Sequence, residues 1–388
     1  MRVALNLEQL LQPAPGGIGT YTAELARLLP ALPPSDERGD DVITLLPFVA
    51  RHRRGRVRAA LAEHGLGDLD PAVLLLPRPL LYDAWHTVGR PRLNHVRRLA
   101  EADLVHAPSV AVPPRSGVPL VVTAHDAAPL VFPETYPRRG RRFHAQGLVA
   151  AGERADMVIT VSHAAAAELA EHTSIPMERV RVVPNGVVLD VATDADVSEA
   201  RQRLGFDRVP YLLWVGSLEP RKNVGLLVDA FARWAAASDL PHLLVLAGPT
   251  GWLEDTAGVL APARPLGDRV RMVGRVDGAT VRALYRGADL FAFPSRHEGF
   301  GIPVLEAMAQ ATAVLAADIA PVREVAGDAA RLLPPDDADA WAGAIGELLG
   351  DDAARARLGA AGRTRAERFS WERCAEATRA VYREVVRI

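Results

Sequence analysis

Short apolar runs alternate with longer amphipathic stretches along almost the whole chain, and this alternation constrains the fold most. A strand covered on both faces reads as an unbroken apolar run, and the helix returning across it shows one apolar stripe. Runs of this kind fall at Val3–Leu7, Val42–Phe48, Val73–Leu76, Leu104–His106, Leu120–Ala124, Met157–Val161 and Val180–Val183. They resume at Tyr211–Val215, Leu243–Leu246, Val270–Val273, Leu290–Phe293, Ala313–Ala316 and Arg331–Leu333. Helical patterns are predicted over Gly19–Leu29, Arg138–Arg154, His163–Glu171, Val224–Ala237, Thr280–Arg286, Pro303–Gln310 and Trp371–Val386. The pattern is that of parallel sheets layered with helices, an α/β class.

The 388 residues are too many for one ordinary domain and suffice for two. The best boundary is Pro184-Asn185-Gly186, a turn signal directly after an apolar run. The reading is therefore a Rossmann-like domain over 1–187, a second over 188–370, and a terminal helix over 371–388.

Composition removes several classes. A formal charge of −2 gives no general attraction to nucleic acid, so none is expected as a partner. The single cysteine, Cys374, excludes an intramolecular disulfide framework and a multi-cysteine metal site. The opening MRVALNLEQL reads as a strand rather than a signal peptide, and no apolar stretch approaches a membrane span. The expected location is the cytoplasm. Two arginine clusters, Arg51–Arg58 and Arg138–Arg142, are either solvated faces or a contact with the anionic inner face of a membrane.

Four places carry candidate chemistry. Gly16-Gly17-Ile18-Gly19 follows the first strand and opens a helix, where backbone amides favour an anion. It lacks the third glycine of a dinucleotide fingerprint, and a plain turn explains it as well. Gly216-Ser217-Leu218-Glu219-Pro220-Arg221-Lys222 occupies the equivalent place in the second half. Lys222 is the sole lysine in the chain, and beside Arg221 it offers a pyrophosphate both a planar fork and a compact charge. Glu298-Gly-Phe-Gly-Ile-Pro-Val-Leu-Glu306 puts one carboxylate in a glycine-rich loop and one in the following helix. His125-Asp126 ends an apolar run in the first half, where the histidine is placed for a ligand hydroxyl and Asp126 to orient it. A structural histidine is the competing reading.

Together, in order and over nearly the whole chain, these motifs resemble glycosyltransferase family 4, of the GT-B fold. The Glu298-x7-Glu306 motif is the most specific element, supported by Arg221-Lys222-Asn223, the Gly16–Gly19 stretch and Pro184-Asn185-Gly186-Val187. His125-Asp126 through Phe132-Pro133-Glu134 looks like the bacterial mannosyltransferase branch. The resemblance implies two doubly wound domains facing across a cleft and retaining transfer of a hexosyl group, with mannose from GDP-mannose as the expected donor. The acceptor would be a glycan, a lipid-linked glycan or a small molecule. Arg221 and Lys222 would bind the pyrophosphate, Glu306 the ribose, and Glu298 with the amides of Phe300, Gly301 and Ile302 the donor sugar. His125 would meet the transferred sugar, Gly16 and Gly17 the phosphates, and Gly274 and Arg275 the base. Many relatives have arginine where Ser217 stands, which leaves the phosphate charge to Arg221 and Lys222. No cofactor and no metal are implied. A UDP- or dTDP-sugar donor, an epimerase of the same fold, and a degenerate transferase acting as a binding partner are the alternatives.

Overall fold

The computed structural model describes residues 1–34, 42–251 and 255–387. The chain forms two compact units. The first comprises Met1–Val131, Arg138–Gly186 and Trp371–Ile388, the second Phe132–Pro137 and Val187–Ser370. The segment Phe132–Pro137 departs from the sequence expectation by clustering with the second unit, where the Phe132 ring lies 5.2 Å from that of His297.

In the first unit the described strands are β1 (Arg2–Asn6), β2 (Thr44–Val49), β3 (Ala72–Val73), β4 (Leu104–Ala107), β5 (Leu120–Thr123), β6 (Met157–Thr160) and β7 (Val180–Val182). They form a parallel sheet ordered β3-β2-β1-β4-β5-β6-β7. Its helices are α1 (Gly16–Leu28), α2 (Arg54–Glu63), α3 (Arg78–Thr87), α4 (Ala128–Val131), α5 (Arg138–Arg154) and α6 (His163–His172).

The second unit carries α7 (Asp194–Arg203), β8 (Tyr211–Val215), α8 (Val224–Ala236), β9 (Leu243–Ala247), α9 (Thr256–Leu260), β10 (Val270–Gly274), α10 (Gly278–Gly287) and β11 (Leu290–Phe293). It continues through α11 (Ile302–Ala309), β12 (Val314–Ala317), α12 (Ala320–Ala326), β13 (Arg331–Leu333), α13 (Ala338–Leu349) and α14 (Asp352–Ala366). Its parallel sheet is ordered β10-β9-β8-β11-β12-β13. Both orders reverse direction once, between β1 and β4 and between β8 and β11, and doubly wound sheets open a crevice at such a reversal. The last helix, α15 (Trp371–Arg387), belongs to the first unit.

The apolar runs become strands because both faces are covered: every residue of β4, β5, β6, β9, β11 and β12 is buried. Three Asp-x-Asp strings, Asp68–Asp70, Asp194–Asp196 and Asp337–Asp339, have structural uses. Asp196 completes a capping box with Thr193, Asp337 caps α13 through Ala340 N at 2.9 Å, and Asp70 pairs with Arg98 at 2.9 Å. No helix among the described residues is long and apolar enough to cross a membrane.

Candidate active site

The two strands that flank the reversal in the second sheet each deliver a motif from their carboxyl ends. After β8 the chain turns through Gly216 and Ser217 and makes one tight 3-10 turn over Pro220–Lys222. Asn223 ends that turn in the left-handed region at φ 55° and starts α8. Its amide holds the conformation by donating to the carbonyls of Pro294 and Pro335 at 3.2 and 2.7 Å. The loop after β11 carries Ser295 to Gly301, and Gly301, at φ 111°, opens α11.

These loops meet through charge. Lys222 Nζ donates to Glu298 Oε1 at 2.6 Å, and Arg221 Nη1 lies 3.0 Å from Glu298 Oε2. Arg221 also donates to the His297 carbonyl at 2.7 Å and lies 3.5 Å from Glu219. Burial by itself would raise the Glu298 carboxyl. The Arg221 and Lys222 charges and the hydrogen bond from Lys222 outweigh it and hold the group at about 2. Burial lowers the Lys222 ammonium and raises the Glu219 carboxyl, and the opposite charges around each work against these shifts. Glu298 thus stays ionised and the loop joins two cations to two carboxylates.

Glu306 lies on the second turn of α11, half-buried. Burial lifts its carboxyl to about 7 against the hydrogen bond it accepts from Tyr285 at 3.0 Å and the charge of Arg282. Phe300 is buried edge-on to Phe369, while Ile302 and Pro303 form the partly open first turn of α11.

A row of glycines borders this region at the carboxyl ends of β8, β9 and β10. Gly216 N donates to the Ala247 carbonyl at 3.0 Å, and Gly248 N to the Gly274 carbonyl at 2.8 Å. At Gly248, φ 141°, a Cβ would stand 1.8 Å from the Gly216 carbonyl oxygen. Gly274, φ 68°, has open space where its Cβ would be and precedes the exposed Arg275, while Ser217 is half-buried.

In the first unit, Gly16–Gly19 is the opening turn of α1 rather than a loop before it. Gly16 and Gly17 are exposed, and Gly19 N already donates to the Pro15 carbonyl at 3.1 Å. His125 stands just past β5, its ring 5.0 Å from that of Tyr21 and edge-on to it. Its Nε2 pairs with the Pro108 carbonyl at 3.0 Å. That carbonyl orients the ring, not Asp126, whose carboxylate instead accepts from Ala128 N at 3.0 Å. Asp126 is drawn to the amides at the start of a helical turn, which a carboxylate two residues earlier caps well.

The structure therefore gathers Arg221, Lys222 and Glu298 in one bonded cluster, with Glu306 anchored to Tyr285. Sequence reasoning missed Glu219, Tyr285 and Gly248. The signal for Tyr285 was a phenol on the buried side of the Thr280–Arg286 pattern, where its hydroxyl needs an acceptor.

Residues 15–191 match the family described as Glycosyltransferase Family 4, and residues 196–365 that described as Glycosyl transferases group 1. A D-inositol 3-phosphate glycosyltransferase of Kineococcus radiotolerans is 35% identical over 300 residues, 70% of this chain and 67% of that protein. The chain belongs to the family 4 glycosyltransferases. The O-antigen chain mannosyltransferase B of Escherichia coli is 28% identical over 395 residues, 99% of this chain and 100% of that one. HepE of Anabaena, solved in complex with UDP and glucose, superposes with a TM-score of 0.74 at 20% identity, over 99% of this chain and 100% of that one. The fold is thus that of the GT-B glycosyltransferases, and within it the bonded Arg221–Lys222–Glu298 cluster lies at the sheet reversal of the group 1 region.

Proposed function

We propose that this glycosyltransferase moves a mannosyl group from GDP-mannose to a hydroxyl of a glycan or lipid-linked glycan, with retention at the anomeric carbon. The observation that carries the donor side is the Arg221–Lys222 pair at the carboxyl ends of the strands flanking the sheet reversal. Two cations held within 3.0 Å of one carboxylate are preorganised for an anion, and a diphosphate that enters takes over part of the charge that Glu298 balances. Glu298 and the first-turn amides of α11 then face the sugar, and Glu306 the ribose. Leaving-group charge is stabilised by side chains and amides, so no metal is required. The leaving phosphate helps remove the acceptor proton, and retention follows from attack on the face it departs from.

The full-length likeness to an O-antigen mannosyltransferase supports mannose. The likeness to a protein solved with UDP and glucose supports a second reading, a uridine donor. Calorimetric titration with GDP-mannose, UDP-glucose and dTDP-glucose in the presence of a chelator separates them. Tightest binding of GDP-mannose is expected, and binding only after Mg²⁺ is restored would refute metal independence. Incubation of the donor without acceptor should give no isomerised sugar, which an epimerase would produce.

The reading extends to peripheral contact with an anionic membrane. It is supported by Leu75 and Leu80, 83% and 58% exposed, on either side of exposed Arg78. Co-sedimentation with phosphatidylglycerol vesicles should exceed that with phosphatidylcholine vesicles, and equal recovery would remove this contact.

A further inference from the structure

Tyr285 is fully buried on α10, its ring edge-on to Phe291 at 5.1 Å and its carbonyl accepting the Thr312 hydroxyl at 2.6 Å. Full burial and the contact with Phe291 pack the ring on the apolar side of the helix. Its hydroxyl points out of this apolar pocket to Glu306 Oε2, 3.0 Å away. This is the one hydrogen bond to the Glu306 carboxylate among the described residues, so Oε1 stays open to a ligand. A glutamate on a half-buried helical turn would otherwise sample several rotamers. The phenol removes that freedom at the cost of one of the four acceptor positions that a carboxylate has.

We propose that Tyr285 is a positioning residue for donor binding, holding one oxygen of Glu306 so that the other meets the vicinal hydroxyls of the donor's ribose. The inference rests on the ribose role assigned to Glu306 above. It adds a residue outside the Glu298-x7-Glu306 motif, supplied by the helix before β11.

The arrangement has a pH consequence. The groups facing Glu306 are Tyr285 and Arg282, both of α10. Arg363 of α14 is engaged with the carbonyls of Leu189 and Ala309, and Arg323 of α12 with Asp318. The Tyr285 hydroxyl donates to the ionised carboxylate and favours that form, against the burial that holds the group near 7. Acidification protonates Glu306 and removes acceptor capacity, so donor affinity falls as pH drops through this range. Removing the Tyr285 hydroxyl moves the midpoint to higher pH.

The test is calorimetric titration with GDP-mannose and UDP-glucose from pH 6 to 9, using whichever binds more tightly as the probe. Wild type, Tyr285→Phe and Glu306→Gln are compared. Tyr285→Phe keeps the ring and its packing. It should bind roughly three- to tenfold more weakly at pH 7, with the gap narrowing towards pH 9 but not closing there. Glu306→Gln should bind weakly with a flat profile. A Tyr285→Phe affinity equal to wild type at pH 9, where the Glu306 carboxylate is ionised in both, overturns the positioning role. A wild-type profile that is flat between pH 6 and 9 overturns the pH consequence drawn from Glu306. Wild-type affinity in Glu306→Gln overturns instead the ribose reading on which the inference stands.

Discussion

Lys222 shows how a residue's partners change what its removal means. From sequence alone, Lys222→Ala is expected to weaken the donor and leave stability nearly untouched. In the structure the ammonium is buried against Glu298 at 2.6 Å, and its side chain is only 12% exposed. Truncation leaves the Glu298 carboxylate with Arg221 as its remaining cation, at 3.0 Å. We therefore expect Lys222→Ala to lower unfolding free energy by about 1–3 kcal/mol as well as to weaken nucleotide-sugar affinity tenfold or more. Denaturant titration and calorimetry together check this. Unchanged affinity in a folded variant would take Lys222 out of the donor site. The same cluster keeps Glu298 charged, as the sugar-facing role proposed for it requires. It is ionised at neutral pH, because its neighbours hold it at about 2.

Secondary-structure elements owe their places to contacts of two kinds, close backbone approach and buried polar pairing. Helix α14 packs on α11 and the turn after it through small residues: a Cβ at Gly362 would stand 3.0 Å from Met308 Cγ, and one at Gly359 2.2 Å from the Ala311 carbonyl oxygen. Such a helix has no large apolar stripe, so the sequence pattern gave it no helical signature. Helix α15 is tied to the first sheet by polar groups. His106 Nδ1 on β4 pairs with the Tyr382 hydroxyl at 2.6 Å, and its Nε2 with the Thr123 hydroxyl at 2.8 Å. Thr123 in turn pairs with the Tyr21 hydroxyl of α1 at 3.0 Å, and Arg181 of β7 pairs with Glu384. Tyr382→Phe strands one buried imidazole nitrogen. It should cost about 1–3 kcal/mol, more than the half kilocalorie or so typical of a surface change. Urea unfolding that shows no loss would mean the α15 anchor is purely apolar.

At the scale of the whole molecule the buried titratable groups set opposite pH trends in the two units. In the first, burial lowers His106 to about 3 and His86 to about 4. Between those values and the unfolded value near 6.5 the unfolded state takes up protons that the folded state refuses. Stability of this unit therefore falls on acidification, by about 1.4 kcal/mol per pH unit for each group. In the second unit Glu306 is raised to about 7, so down to about 4.5 the folded state holds a proton that the unfolded state lacks. Acidification through that window stabilises the unit, and the depressed Glu298 begins to oppose it only below about 4.5. From pH 7 to 5, hydrogen-exchange protection corrected for intrinsic rates should decrease in β4 and β5 and increase in β11 and β12. Shifts in the same direction in both units would contradict this assignment. His106→Gln should flatten the trend in the first unit.

The sequence by itself marked the strands, their parallel arrangement in two successive units, and Arg221, Lys222, Glu298 and Glu306 as candidates. Each of these is written locally, as an apolar run buried on both faces or as charge and glycine at a strand's end. Only the tertiary structure decided which groups satisfy one another. Glu298 neutralises Lys222 across 76 residues, and Tyr285 holds Glu306 across 21. His125 is oriented by a carbonyl 17 residues earlier rather than by the aspartate beside it. Helices built on small residues were equally hidden, because their packing depends on how closely a neighbour's backbone approaches. The physical reason is common to all of them. Burial and hydrogen-bond satisfaction are properties of an environment assembled from distant segments, and no local pattern records which donor will reach which acceptor.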